Sequence, residues 1–133
     1  MTTDNLTKNQ LSEERFNWLK EAYTIIDSLD ANTNHNLYAE NSEVIFGNRP
    51  AVQGRENIIT MFKHFWTTIE GYSHSFVSVF GQDDAFAVET VVNYTRLDAT
   101  TIGIPAVTVI EMNEKNQIQS MRIFIDIAPL HQI

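Results

Sequence analysis

The chain has 133 residues, 43% hydrophobic and 11% aromatic, with a formal net charge of -8. This profile fits one globular domain with a substantial core and excludes both disorder and a basic nucleic-acid surface. The absence of cysteine excludes disulfides, thiolate catalysis and sulfur-ligated metals. No stretch approaches the roughly 18 apolar residues of a membrane span, and the N-terminus lacks a signal-peptide pattern, so the expected location is cytoplasmic.

Residues 1–10 are polar and patternless and read as a flexible N-terminal tail, leaving a single domain over 11–133. Ser12 followed by Glu13 and Glu14 opens a helix. Phe16, Trp18, Leu19, Ala22, Tyr23, Ile25, Ile26 and Leu29 fill about half of its wheel, with Asp27 at the edge of that arc. Asp30 is the expected N-cap of a short second helix running to about Tyr38. Glu43 to Gly47 reads as a short strand and Asn48-Arg49-Pro50 as a turn. After Gly54 comes a strong helix, with Ile58, Ile59, Met61, Phe62, Phe65, Trp66 and Ile69 on one face and Gly71 as its stop.

From Tyr72 the period changes from 3.6 to 2. The pattern predicts strands over Tyr72–Phe80, Ala85–Leu97 and Thr101–Met112, then a last strand within Asn116–Leu130, joined by short turns. The predicted class is therefore α+β, a curved antiparallel sheet covered on one face by three helices. Several strands are apolar on both faces, and helices cover only one, so a homodimer through the outer sheet face is expected.

The last strand carries the most unusual residue. Simple alternation puts Ile118, Ser120, Arg122, Phe124 and Asp126 on one face and Met121, Ile123, Ile125 and Ile127 on the other. A carboxylate in so apolar a strand is unusual. Desolvation would raise its pKa and make it an acid or base near neutrality, so Asp126 is expected at the bottom of a pocket shared with Phe124. Arg122 lies roughly 13 Å along the strand from Asp126, better placed for the rim than for a direct salt bridge. His74 shares a face with Tyr72, Phe76 and Phe80. His35, His64 and His131 read as solvated, and no spacing suggests a metal site.

The element order, with D-S-L-D closing helix one, G-R-E-N-I after the short strand, N-Y-T-R-L-D, and R-I-F-I-D-I-A-P-L at the end, resembles the nuclear transport factor 2-like superfamily. Within it the chain is similar to SnoaL-like polyketide cyclase relatives, from about Leu11 to Leu130. The resemblance implies a cone-shaped, cystatin-like roll around an apolar pocket, and a superfamily of both enzymes and non-catalytic proteins. It implies a pocket aspartate at Asp126, a strand histidine at His74 and an oxyanion-binding tyrosine near Tyr23. The paired histidine of dehydratases has no counterpart on the following strand. The acids of ketosteroid isomerases are replaced around Phe46, Gly47 and Thr108. The Arg-x-Asp of limonene epoxide hydrolases is replaced at Thr90 and Val92.

Asp126, His74 and Tyr23 are therefore the expected catalytic groups. Asp27, Tyr38, Phe62, Trp66, Phe76, Asn93, Thr108, Arg122 and Phe124 are the expected ligand-binding ones. Together they suit a small hydrophobic molecule with a few oxygens, without a cofactor, nucleic acid or membrane. Cyclase, isomerase or dehydratase chemistry, non-catalytic ligand binding and a dimeric scaffold all remain open from sequence.

Overall fold

Ser12 sets the start of the first helix: its Oγ accepts the Arg15 backbone N–H at 3.0 Å, and Glu13 and Glu14 face the positive end of the helix dipole. Helix α1 (Glu13–Asp27) buries Leu19, Ala22 and Tyr23. The computed structural model describes residues 11–131, so the tail expected over residues 1–10 lies outside the described residues. Asp30 caps α2 (Ala31–His35), and the buried Asn34 amide donates to the carbonyls of Ile25 and Asp30, fastening α2 to the end of α1. Helix α2 ends at His35 because Tyr38 already belongs to strand β1 (Tyr38–Phe46), which is longer than the Glu43–Gly47 segment expected. A two-residue strand, β2 (Val52–Gln53), pairs with it.

Helix α3 (Arg55–Trp66) buries Ile58, Ile59, Phe62, Phe65 and Trp66 and leaves Lys63 and His64 exposed, as its periodicity predicts. It stops at Trp66 with Thr67 as its cap, and Gly71 instead begins β3 (Gly71–Gln82). Strands β4 (Ala85–Thr95), β5 (Thr101–Met112) and β6 (Ile118–Ile125) complete the expected antiparallel meander, and a 3-10 turn follows at Ala128–His131. The six strands run in the order β2-β1-β6-β5-β4-β3, with β1 adding one parallel pairing to β6. The three helices and the inner sheet face enclose one core, which includes Leu19, Tyr38, Val44, Ile58, Val88 and Ile110.

Two β-bulges decide which side chains point into that core. In β6, Ser120 pairs with Glu111 but Ile118 pairs with Met112, so Gln119 is an extra residue. Ile118 and Met121 both face inward across this bulge, and the phase of every later residue is reversed relative to simple alternation from Ile118. Thr108 opposite Ile123 and Ala106 opposite Ile125 fix the inward set, because cross-strand partners share a face. Arg122 and Phe124 therefore lie on the outer face, and Phe124 is 59% exposed. This overturns the expectation that Phe124 and Asp126 face the pocket while Ile123 and Ile125 face outward.

In β3 the extra residue is Val77, between the pairs Phe76–Thr90 and Ser78–Glu89. Tyr72, His74 and Phe76 stay on the inner face, whereas Phe80 turns outward and is 40% exposed. Phe80 thus leaves the face it was expected to share with His74.

Candidate active site

Between α1, α3 and the inner sheet face lies an aromatic cavity of about 40 Å³. Helix α1 contributes Tyr23 and Ile26, β1 contributes Tyr38 and Phe46, and α3 contributes Phe62 and Phe65. Tyr72 and His74 come from β3, Thr90, Val92 and Tyr94 from β4, and Thr108 from β5. Met121, Ile123 and Ile125 close it from β6. The chain has four tyrosines, and all four line this one space.

The polar centre of the wall is a pair that joins the end of α1 to the start of β3. Asp27 Oδ1 stands 2.5 Å from His74 Nδ1, and Asp27 Oδ2 accepts the His74 backbone N–H at 3.2 Å. Both side chains are mostly covered, 11% exposed for His74 and 25% for Asp27. Asp27 is the last residue of α1, so it meets β3 only because the helix is long enough to lay its final turn over that strand. With Nδ1 committed to the carboxylate, a neutral ring carries its proton on Nδ1 and leaves Nε2 as an acceptor. Tyr23 and Tyr72 hold the ring edge-on, with centroids at 4.9 and 5.1 Å.

The tyrosines around this pair are held protonated. Burial pushes the Tyr23 phenol up to about 12; the Thr108 hydroxyl draws it back in part, and the nearby Asp27 charge adds to the rise. Burial likewise raises Tyr38, Tyr72 and Tyr94 well above the ordinary phenol value. The Trp66 indole N–H donates to Tyr72 Oη at 3.0 Å, which fixes that ring beside His74. Near neutral pH the cavity therefore presents neutral phenols around one imidazole, in an apolar frame.

The structure brings together His74, Tyr23, Tyr38, Phe62 and Thr108 on the cavity wall. Asp27 stands behind His74, Trp66 behind Tyr72, and Phe76 packs edge-on against Tyr23 at 5.0 Å. Four expected site residues lie elsewhere. Asn93 is exposed and donates to Ser75 Oγ, and Arg122 pairs with Glu111 at 2.9 Å on the outer face. Phe124 shares that outer face. Asp126 follows the last residue of β6, is exposed, and accepts the Ala128 N–H at 3.0 Å as a cap of the 3-10 turn. Strand β6 ends before it, and the Gln119 bulge removes the phase that would have aimed it inward.

Sequence reasoning missed Tyr72, Thr90, Tyr94, Ile123 and Ile125 as lining residues. The concentration of every tyrosine on inward positions was the available signal for Tyr72 and Tyr94. Among the described residues no group of three or more His, Asp or Glu side chains is placed to hold a metal ion. No helix among them is long and apolar enough to cross a membrane.

A curved mixed sheet folded around a helix-covered cavity is the nuclear transport factor 2-like fold. The chain belongs to the SnoaL-like domain family, whose model matches residues 19–121. Solved structures agree on the fold. A protein from Jannaschia sp. CCS1 described as a SnoaL-like polyketide cyclase superposes with a TM-score of 0.75 at 13% identity, covering 92% of both chains. A nuclear transport factor 2-like protein of unknown function from Burkholderia pseudomallei gives 0.77 at 12% identity, covering 90% of this chain and 95% of that one. SalBIII, an epoxide hydrolase/cyclase-like enzyme with a role in pyran ring formation in salinomycin, gives 0.73 at 20% identity, covering 86% and 92%. No curated protein matches the sequence.

Proposed function

We propose that the protein is an acid–base enzyme acting on a small, hydrophobic, oxygenated molecule, with His74 as the proton-transferring group. The Asp27–His74 contact at 2.5 Å, with the imidazole in the cavity wall, carries this reading. His74 Nε2 removes a proton from carbon or oxygen beside a carbonyl, and Asp27 stabilises the imidazolium. The Tyr23 phenol donates to the oxygen on which negative charge develops, with Thr108 alongside. The same imidazolium then returns the proton at a second atom, which completes an isomerisation, ring closure or elimination. The role first expected of Asp126 passes to His74. A second copy of the chain covers the outer sheet face in this proposal.

Deuterium entry tests it directly. Cyclohexanone and 2-tetralone in D2O should exchange the protons beside their carbonyls faster with protein than with buffer, followed by proton NMR. His74→Asn should slow the exchange by roughly 100-fold or more, the ordinary worth of a positioned base. Exchange unaffected by His74→Asn sinks the proposal.

The size of the cavity favours a second reading. Ordinary ligand sites occupy about 300–1,000 Å³, so about 40 Å³ also suits a non-catalytic fold whose centre is packed core. Under that reading the ketones show no exchange with wild-type protein.

A further inference from the structure

The aromatic cavity shares a wall with a second space. A surface cleft of about 390 Å³ is lined by Asn48, Arg49, Asp126 and Ile127, together with Phe46 and Ile125, and these last two also line the cavity. Phe46 ends β1 and Ile125 ends β6, so the partition is built from two strand termini. Gly47 lies immediately beyond Phe46 at φ +59°, and its N–H donates to the Ile123 carbonyl at 2.9 Å, fixing the turn beside the partition. The cavity alone holds about three waters. An organic ligand in contact with His74 must therefore extend past it, and the adjoining free space is this cleft.

The cleft has a distinct charge arrangement. The Arg49 guanidinium lies over the Phe46 ring, 5.7 Å from its centroid, on the partition itself. Its side chain makes no hydrogen bond or ion pair among the described residues. Arg122, by contrast, is paired with Glu111, Arg96 donates to the carbonyls of Pro129 and Leu130, and Arg15 donates to Asn116. Arg55 Nε also lacks a hydrogen-bond partner among the described residues, but in a separate cleft lined by Glu40 and Glu114. Asp126 lines the same cleft, yet its carboxylate accepts the Ala128 N–H and makes no ion pair with Arg49. A guanidinium held by stacking keeps its planar fork of donors free, a geometry that matches a carboxylate.

We propose that the ligand is an amphipathic carboxylate, with its apolar end beside His74 and its carboxylate on Arg49 in the outer cleft. This rests on the reading of the cavity as a ligand site, and it adds the ligand's charge and its direction of entry. Phe46 and Ile125 separate to admit it. Arg49 is then a specificity-determining residue that takes no part in proton transfer, and Asp126 opposes the ligand's charge and restrains its affinity.

The test uses 3-phenylpropanoate and its uncharged partner 3-phenylpropanamide. Calorimetry gives their affinities, and the His74 ring resonances show whether the phenyl end arrives. Both probes should shift those resonances, with the carboxylate bound about tenfold tighter or more, as expected of hydrogen bonds to a charged group. Arg49→Gln should erase that preference by weakening the carboxylate toward the affinity of the amide, and Asp126→Asn should enlarge the preference. Equal affinities in the wild-type protein, or a preference that survives Arg49→Gln, overturn the inference while leaving the cavity reading intact. If neither probe moves His74, the cavity reading fails and the inference falls with it. Arg49 is exposed, so loss of folding does not confuse the outcome.

Discussion

Asp27 holds His74 at two points, the ring Nδ1 at 2.5 Å and the backbone N–H at 3.2 Å. One carboxylate therefore fixes both the tautomer of the imidazole and the position of its strand. Asp27→Asn keeps an oxygen for the backbone bond but removes the charge that stabilises an imidazolium. The expected outcome is a fall in ketone exchange of roughly 100-fold and a loss of roughly 1.5–3 kcal/mol of stability, the range for a hydrogen bond to a charged group. Nitrogen-15 NMR of the ring checks the cause. Wild-type His74 should carry its neutral proton on Nδ1, and the variant should show a mixture of tautomers. A wild-type proton on Nε2 contradicts the mechanism.

All four tyrosines line the cavity, so phenolate absorbance at alkaline pH is a probe of it. Their folded-state pKa values are raised, with Tyr23 at about 12. Above the ordinary phenol value near 10 the unfolded chain binds fewer protons than the native one, so stability falls as pH rises. The contribution is fully present below about pH 10 and is lost as pH climbs through the folded values. At about 1.4 kcal/mol per pKa unit, Tyr23 alone withdraws roughly 2 kcal/mol between pH 10 and 12. Phenolate absorbance should therefore rise together with loss of helical circular dichroism. A phenolate signal near pH 10 from folded protein contradicts the closed cavity.

Much of this architecture is legible in the sequence because its periodicities are local. The apolar faces of α1 and α3, and the change to period 2 at Tyr72, each follow from residues within one element. The bulges at Val77 and Gln119 are not local: each exists because one strand meets a partner with one residue fewer, which is a property of the pair. Missing the second inverted the faces of β6 and placed Asp126 in a cavity that Ile123 and Ile125 line instead. His74 was legible as an inward residue, and Asp27 was legible at the edge of the apolar arc of α1. Their meeting spans 47 positions of sequence, so no spacing within one element announces it.

Asp126 gives a direct contrast between the two placements. As a cap of the 3-10 turn it supports Ala128 and the packing of that turn beside β5. Asp126→Ala should cost about 0.5–2 kcal/mol, the usual cost of losing a capping side chain. Ketone exchange should stay within a factor of about two, because Asp126 lies outside the cavity that holds His74 and an uncharged ketone carries no charge for it to oppose. Loss of exchange in a variant with native circular dichroism returns Asp126 to the chemistry and removes His74 from its proposed role.

The outer sheet face supplies the last prediction. Val77, Phe80, Val107 and Phe124 are all large and exposed there. The Glu111–Arg122 ion pair and the Ser78–Glu89 hydrogen bond lie among them. Such an apolar patch with polar groups among it is the composition of an interface, and a second copy brings the same patch in a two-fold arrangement. Light scattering at micromolar concentration should give the mass of a dimer. Phe124→Glu places a charge against its own symmetry mate or a neighbouring apolar side chain, and the dimer should dissociate to folded monomers. Because the cavity lies on the opposite face of the sheet, ketone exchange per subunit should persist in that variant. A monomeric wild-type mass removes the proposal of a second copy, and the inner cavity chemistry stands or falls separately.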